Sequence, residues 1–272
     1  MDRRGAITLL GAGALLAACG GKGSTTVNGP KPQKIAYGTD PSQFGELTRP
    51  TGTPRGVAVV IHGGFWHERY DLSLGRPTAA DLAKRGWIAW NLEYRRIENG
   101  GGWPRTFDDI AAGIDKLAGI PEIPTAKVFT IGHSAGGHLA VWAGARPSFK
   151  DRWADPKVPI TAAISQAGVL DLKAAVRDNL GGGAAQEFMG GQVDNRYTLA
   201  DPTAEIPLSI PVWCVHGDED NNVPISQSIN YVAAAKGAGA KAELIRVHGD
   251  HFVLIDPSTD AWAKIVAVLD GL

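Results

Sequence analysis

The stretch that most restricts how this chain can fold is Gly-His-Ser-Ala-Gly at residues 132–136, because of what lies on either side of it. Residues 127–131 (KVFTI) are rich in β-branched and aromatic residues and predict a buried strand. Residues 137–143 (GHLAVWA) predict a helix. A strand, a sharp turn and a helix are the setting in which Gly-x-Ser-x-Gly presents its serine as a nucleophile. We therefore predict that Ser134 is nucleophilic; the alternative is a chance match in a glycine-rich chain.

The two glycines of this stretch have a mechanical role. We expect Ser134 to lie in a strained turn that brings strand and helix close together. A side chain at Gly132 or Gly136 would then collide with the neighbouring strand or helix, and glycine is the residue that avoids this.

Composition restricts the possible partners. At 272 residues, with 44% hydrophobic and 20% charged residues, the chain can bury the core of one α/β domain. Its 27 Lys and Arg balance 28 Asp and Glu, the net charge is -1, and no basic run indicates nucleic acid. The two cysteines, Cys19 and Cys214, form neither a disulfide framework nor a metal-ligand spacing. We expect no metal, no cofactor and no nucleic-acid partner.

Apolar runs of strand length alternate with helical patterns along the chain. The predicted strands lie at residues 56–61, 87–92, 127–131, 160–166, 210–216 and 242–247, and residues 35–38 begin a possible edge hairpin. The predicted helices lie at residues 78–85, 107–117, 137–143, 225–236 and 258–269. This order predicts an α/β fold with a doubly wound, mainly parallel sheet and helices on both faces. Residues 168–208, rich in Gly, Asp and Asn, interrupt the order, and we interpret them as a small cap; an idle surface excursion is the alternative.

The N-terminus predicts export. A basic head containing Arg3 and Arg4 precedes a short apolar run at residues 6–18 that ends in Leu-Ala-Ala-Cys. The run is shorter than the ~20 residues that span a bilayer, so residues 1–19 are predicted to be a signal peptide. The ending resembles a bacterial lipobox, which predicts lipidation of Cys19 and anchoring to the membrane at the cell envelope. An ordinary cleaved signal with an incidental cysteine, or a signal anchor, is the alternative. Residues 20–34 predict a flexible tether to a domain at 35–272.

A catalytic serine needs a base and an acid that orients the base. In this architecture the order along the chain is Ser, then Asp or Glu, then His. The loop after the strand at 210–216 offers Asp218, Glu219 and Asp220, and we favour Asp220 for its spacing from that strand, with Asp218 second. After the last strand, the glycine and phenylalanine around His251 favour it over His248 as the base. The remaining histidines near the site are expected to pack or to satisfy backbone groups: His62, His133, His138 and His216.

The oxyanion of a tetrahedral intermediate needs donors that are already in place. One is expected from the backbone N–H of Ala135, and a second from the loop after the strand at 56–61, where we favour Phe65 and then Gly64. Trp66 is predicted to wall the substrate pocket, with a core tryptophan as the alternative, and His67 is a candidate to touch substrate.

Six segments together resemble the α/β-hydrolase superfamily. They are residues 62–66 (HGGFW), 91–96 (NLEYRR), 101–104 (GGWP), 132–138 (GHSAGGH), 216–220 (HGDED) and 250–252 (DHF). Within it they are similar to the esterase/lipase group that includes kynurenine formamidase (arylformamidase) and feruloyl-esterase-like domains, and the likeness extends from about residue 35 to the C-terminus. The resemblance implies a triad of Ser134, His251 and Asp220.

We therefore predict a serine hydrolase of carboxylic esters. Three alternatives stay open: an arylformamidase, a cell-envelope peptidase or acyltransferase with the same triad, and a non-catalytic surface binding lipoprotein. Kynurenine breakdown is cytosolic, so predicted export weighs against the formamidase substrate.

Overall fold

The computed structural model describes residues 31–150 and 152–272. The predicted signal peptide, Cys19 and most of the predicted tether lie outside these residues. In the part of the chain that is described, no helix is long and apolar enough to cross a membrane.

One mixed sheet of eight strands forms the centre of the domain, in the order β1-β2-β4-β3-β5-β6-β7-β8. The strands are β1 (Gln33–Ala36), β2 (Phe44–Thr48), β3 (Val57–Ile61), β4 (Ile88–Leu92), β5 (Val128–His133), β6 (Ala162–Gln166), β7 (Val212–Gly217) and β8 (Ala242–Val247). β1 and β2 pair antiparallel to each other, and β2 pairs antiparallel to β4. All remaining pairs are parallel, which confirms the predicted sheet.

Eight α-helices accompany the sheet in the described residues. They are α1 (Arg76–Lys84), α2 (Arg105–Asp115), α3 (Ala135–Ala145), α4 (Leu172–Arg177), α5 (Ala184–Phe188), α6 (Tyr197–Ala200), α7 (Ser226–Gly237) and α8 (Asp260–Asp270). Each predicted strand and helix is present within a few residues of its expected bounds. β1 and β2 form the edge hairpin that was expected to begin at residues 35–38. Two differences occur there: β1 begins at Gln33, inside the predicted tether, and the bounds of β2 were not predicted.

Two apolar cores lie on opposite faces of the sheet. Successive residues of β3 alternate between them, since Val59 packs in one core and Val60 in the other. α2, α3 and α7 cover the first face, and α1 and α8 cover the second. Because both faces are covered, β3, β4, β5 and β6 are buried along their whole length and consist mostly of apolar residues.

The segment at 168–208 packs onto the first core as α4, α5 and α6. Phe188, Met189 and Tyr197 in it are fully buried. A Cβ added at Gly181 would lie 2.7 Å from the Phe65 ring, so the segment also contacts the loop after β3. The segment is therefore packed against the domain, and its role as a cap over the site stays a prediction.

Candidate active site

The turn between β5 and α3 has the strained geometry expected of a nucleophile elbow. Ser134 has φ 57° and ψ −120°, a conformation that costs on the order of 1–3 kcal/mol for a residue other than glycine. A Cβ at Gly132 would collide with the carbonyl oxygen of Gly136, and a Cβ at Gly136 would collide with that of Ile61. The elbow therefore requires both glycines, for the reason predicted.

Helix α3 aims its N-terminus at this turn. All of its residues from Ala135 to Ala145 are buried, and the carbonyl of Ser134 accepts from the N–H of Gly137 at 2.8 Å, which starts the helix. The N–H of Ala135 is one of the first-turn donors without an intrahelical partner. The positive end of the helix dipole therefore faces any negative charge that develops near Ser134.

The loop after β7 presents Asp220 to His251. The Asp220 side chain is fully buried, and its Oδ2 accepts from His251 Nδ1 at 2.6 Å. Its Oδ1 accepts from the backbone N–H groups of Asn222 at 2.8 Å and Val223 at 2.9 Å. The carboxylate is therefore held by the turn that follows it, and it holds the imidazole in turn.

The two rival residues pair with each other elsewhere. His248 Nδ1 lies 3.3 Å from Asp218 Oδ1, and both side chains are largely exposed. Asp218 also accepts from the N–H of Gly249 at 3.1 Å. The structure thus brings Asp220 together with His251 in the interior and leaves Asp218 with His248 at the surface.

A second histidine contacts Asp220. His216 Nε2 lies 2.9 Å from the carbonyl of Val223 and 3.2 Å from Asp220 Oδ2. Both partners are acceptors, so Nε2 carries the proton, and Nδ1 accepts from the Ser228 hydroxyl at 2.8 Å. The sequence predicted that His216 satisfies a backbone group, as it does at Val223; no sequence signal pointed to its contact with Asp220.

These contacts decide the charge of Asp220. Burial acts to raise the pKa of this carboxyl, but hydrogen bonds from His216, His251 and the N–H of Val223 outweigh it and hold the pKa far below its usual range. Asp220 is therefore ionised at neutral pH.

His133 links the loop after β8 to the turn between β5 and α3. Its Nε2 lies 2.8 Å from the carbonyl of His251, and the two rings are 4.4 Å apart between centroids. Burial, together with the neighbouring His251, lowers the pKa of His133 to about 3, so this ring is neutral. His251 is thereby placed against the residue that precedes Ser134.

The hydrogen bond to Asp220 determines which ring nitrogen of His251 is free to act on Ser134. Its Nδ1 donates to Asp220, which leaves Nε2 available to the serine. Ser134 is 2% exposed, and its hydroxyl makes no hydrogen bond to the described residues. Such contacts often tighten only when substrate binds.

Residues 62–66 lie directly against Ser134. A Cβ at Gly63 would be 2.9 Å from Ser134 Cβ. Gly64, Phe65 and Trp66 have φ of 116°, 50° and 59°, three left-handed residues in succession. In the described chain, the N–H groups of Gly64, Phe65 and Ala135 donate to no protein acceptor. The predicted oxyanion donors are thus unpaired and beside the elbow.

Trp66 does not line the site. It is 1% exposed, stacks on Phe188 at 4.5 Å and meets His138 edge-on at 5.4 Å. Trp66 is therefore a core tryptophan, which was the alternative, and the prediction that it walls the substrate pocket is wrong. His67 is paired with Glu98, with 2.7 Å between Nδ1 and Oε1, and its contact with substrate stays a prediction.

Two exposed aromatic residues flank the site, and sequence reasoning gave them no substrate role. Tyr70 is 36% exposed and Phe252 is 52% exposed, and both belong to the few exposed large apolar side chains of the described residues. A Cβ at Gly64 would collide with Tyr70, and the Phe252 ring lies 5.3 Å from that of His251. Spacing along the sequence does not reveal such exposure.

The acidic, cysteine and histidine side chains of residues 31–150 and 152–272 do not gather in threes that could hold a metal ion. Cys214 is buried, which raises the pKa of its thiol to about 12.

The mainly parallel sheet, the elbow after β5 and the loops after β3, β7 and β8 define this chain as an α/β-hydrolase. Within that class it belongs to the BD-FAE family, whose model matches residues 47–234.

The chain is also similar to two curated esterases. The chain is 24% identical over 263 residues to the probable isoprenylcysteine alpha-carbonyl methylesterase ICME of Oryza sativa, covering 86% of this chain and 61% of the relative. It is 27% identical over 216 residues to the esterase LipQ of Mycobacterium tuberculosis, covering 71% of this chain and 49% of the relative. The matches thus span only half to three fifths of these longer relatives.

Solved structures share the fold. A truncated carbohydrate esterase from gut microbiota superposes with a TM-score of 0.74 at 20% identity, covering 90% of this chain and 97% of that one. The esterase Est2 of Thermogutta terrifontis superposes with a TM-score of 0.72 at 22% identity, covering 90% of this chain and 92% of that one.

Proposed function

We propose that this protein is a serine hydrolase that cleaves carboxylic esters through an acyl-enzyme. The observation that carries the proposal is the buried pair of Asp220 and His251, set against an elbow that presents Ser134 in a strained turn. The names of the curated relatives, a methylesterase and an esterase, support the same chemistry.

The residues divide the reaction between them. His251 takes the proton of Ser134 as the serine oxygen attacks the ester carbonyl. Asp220, ionised and fixed by backbone N–H groups, stabilises the imidazolium that forms. The N–H groups of Ala135 and of Phe65 or Gly64 receive the oxyanion. The alcohol leaves with the proton of His251, and water then releases the acid by the same steps in reverse.

The test compares the buried pair with its exposed counterpart. With p-nitrophenyl butyrate as substrate, Ser134→Ala is expected to lower kcat by about 10⁶ and Asp220→Asn by about 10⁴. Asp218→Asn and His248→Asn change the same residue types in the surface pair, and kcat should stay close to the wild-type value. Retention of most activity by Ser134→Ala, or failure of folded wild-type protein to react with a fluorophosphonate probe, would contradict the proposal and favour a non-catalytic binding protein.

Arylformamidase activity is a second candidate, favoured by the likeness of residues 62–66 (HGGFW) to formamidases. It is distinguished in the same assay with N-formylkynurenine, whose turnover must exceed that of short esters. Added alcohol or peptide acceptors distinguish the third candidate, an acyltransferase or peptidase.

We also propose that the protein is exported and anchored by a lipid on Cys19. The basic head, the short apolar run and the Leu-Ala-Ala-Cys ending support this proposal. Mass spectrometry of the N-terminal peptide from membranes, with Cys19→Ser as control, checks it.

A further inference from the structure

Residues 91–96 (NLEYRR) form a sequence motif that contributes no residue to the proposed triad. Asn91 and Leu92 end β4, the strand beside β3, and residues 93–96 follow it, so the motif lies next to the loop at 62–66. Glu93, Tyr94 and Arg96 of this motif are buried, with 4%, 0% and 5% exposure. Buried charged residues need partners, so the partners of these three indicate what the motif does.

Glu93 collects donors from three parts of the chain. Its Oε1 accepts from His62 Nε2 at 3.1 Å and from the guanidinium of Arg96. Its Oε2 accepts from the N–H of Leu72 at 3.0 Å. Burial acts to raise the pKa of Glu93, but the His62, Arg96 and Leu72 interactions outweigh it and lower the pKa. A fixed anion therefore holds the side chain of His62, the first residue of the loop.

Tyr94 and its neighbours tie down the backbone of the same loop. The Tyr94 hydroxyl donates to the carbonyl of His62 at 2.7 Å, and its ring stacks on the imidazole at 4.4 Å. At the other end, the N–H of Ile97 donates to the carbonyl of Trp66 at 2.9 Å. Both ends of the loop are thus bonded to one segment, residues 93–97.

The loop needs this external support. Gly64, Phe65 and Trp66 all have positive φ, a backbone conformation that persists only where its surroundings impose it. The N–H groups of this loop must also point at an oxyanion instead of pairing with protein carbonyls.

We propose that Glu93, Tyr94 and Arg96 form a brace that positions the oxyanion-hole donors of residues 64 and 65. The brace touches no substrate, so these are positioning residues. The inference rests on the proposed esterase function. Because the oxyanion forms only as the ester reacts, loosening the brace weakens transition-state stabilisation and leaves ground-state binding unchanged.

The test uses Tyr94→Phe, which removes one hydroxyl, and Glu93→Gln, which removes the charge. Loss of an oxyanion donor typically costs ~10²–10³ in kcat, so a displaced donor is expected to cost about 10-fold or more. KM should stay near the wild-type value. Affinity for a trifluoromethyl ketone, which forms a tetrahedral adduct on the serine, should fall by the same factor as kcat.

Arg95→Gln is the matched control. Arg95 lies in the same motif and forms a bidentate ion pair with Asp109, with its Nη2 2.6 Å from Oδ1, but it makes no contact with the loop at 62–66 among its described hydrogen bonds. It is expected to lower the melting temperature and leave kcat and ketone affinity unchanged. This control distinguishes positioning from general loss of stability.

Three outcomes overturn the brace. The first is that Tyr94→Phe keeps the wild-type kcat and ketone affinity. The second is that kcat falls as much in Arg95→Gln as in Tyr94→Phe. The third is that Tyr94→Phe changes only KM. Should Glu93→Gln not fold, Tyr94→Phe alone decides. Ser134→Ala in the same assay separates the two proposals: if it is inactive while Tyr94→Phe is normal, only the brace fails, and if it is active, both fail.

Discussion

Asp220 is the residue at which the loops after β7 and β8 meet, since it accepts from His251 and also from His216. We predict that His216→Phe lowers kcat, because Asp220 then loses a donor and is held less firmly against His251. A hydrogen bond to a charged group contributes about 1.5–3 kcal/mol, so the loss is expected to be about 10-fold or more. His216→Gln, which keeps a donor, should lose less. Steady-state kinetics on folded variants measure this, and equal kcat in His216→Phe and wild type would contradict it.

The same residues show what spacing can and cannot reveal. Loop position and order along the chain selected Asp220 and His251 over Asp218 and His248, because loops after parallel strands converge at one edge of the sheet.

The burial of a side chain is decided by packing between segments that are distant in sequence. For that reason the sequence predicted Trp66 at the pocket wall, whereas Phe188, contributed by the segment at 168–208, covers it in the core. The exposure of Phe252 was unpredictable for the same reason.

The segment at 168–208 contacts the loop after β3 at Gly181, and the adjacent Gly182 makes no such contact. Gly181 (φ 62°) lies against the Phe65 ring, whereas Gly182 (φ 72°) has no neighbour within 4 Å of an added Cβ. Alanine at either position costs roughly 1–2 kcal/mol of backbone strain. We predict that Gly181→Ala also lowers kcat by displacing Phe65, and that Gly182→Ala lowers only stability. Melting temperatures and kcat of both variants check this, and identical kcat in the two would exclude a role for the contact.

The burial of an element determines whether the sequence could predict it. β3, β4 and β5 are buried on both faces, so their sequences are largely apolar and stand out. β2 (FGELT) is half-buried near the edge, and its mixed composition carries no such signal. α4, α5 and α6 have only 6, 5 and 4 residues, too short for a helical period, and their positions depend on contacts with the core.

For the whole molecule, buried titratable groups couple folding to pH. Burial lowers the pKa of His133 to about 3 and that of His138 to about 4, and it raises the pKa of Asp201 to about 6. Unfolded histidine has a pKa of about 6.5, so between pH 4 and 6 the unfolded chain binds two protons that the folded chain does not. Asp201 acts oppositely, because over the same window the folded chain holds a proton that the unfolded chain has released.

The net difference from these three groups is one proton, taken up on unfolding. These three groups should therefore contribute a fall in the free energy of unfolding of about 1.4 kcal/mol for each unit of pH lowered from 6 to 4, and they add no pH dependence well above 6.5. Asp201→Asn keeps an oxygen that can cap Thr203 but removes the opposing proton, so the slope should become steeper by about 1.4 kcal/mol per pH unit. His138→Gln should make the slope shallower by the same amount. Urea unfolding at several pH values measures these slopes, and an unchanged slope in Asp201→Asn would show that Asp201 is ionised in the folded protein throughout this range.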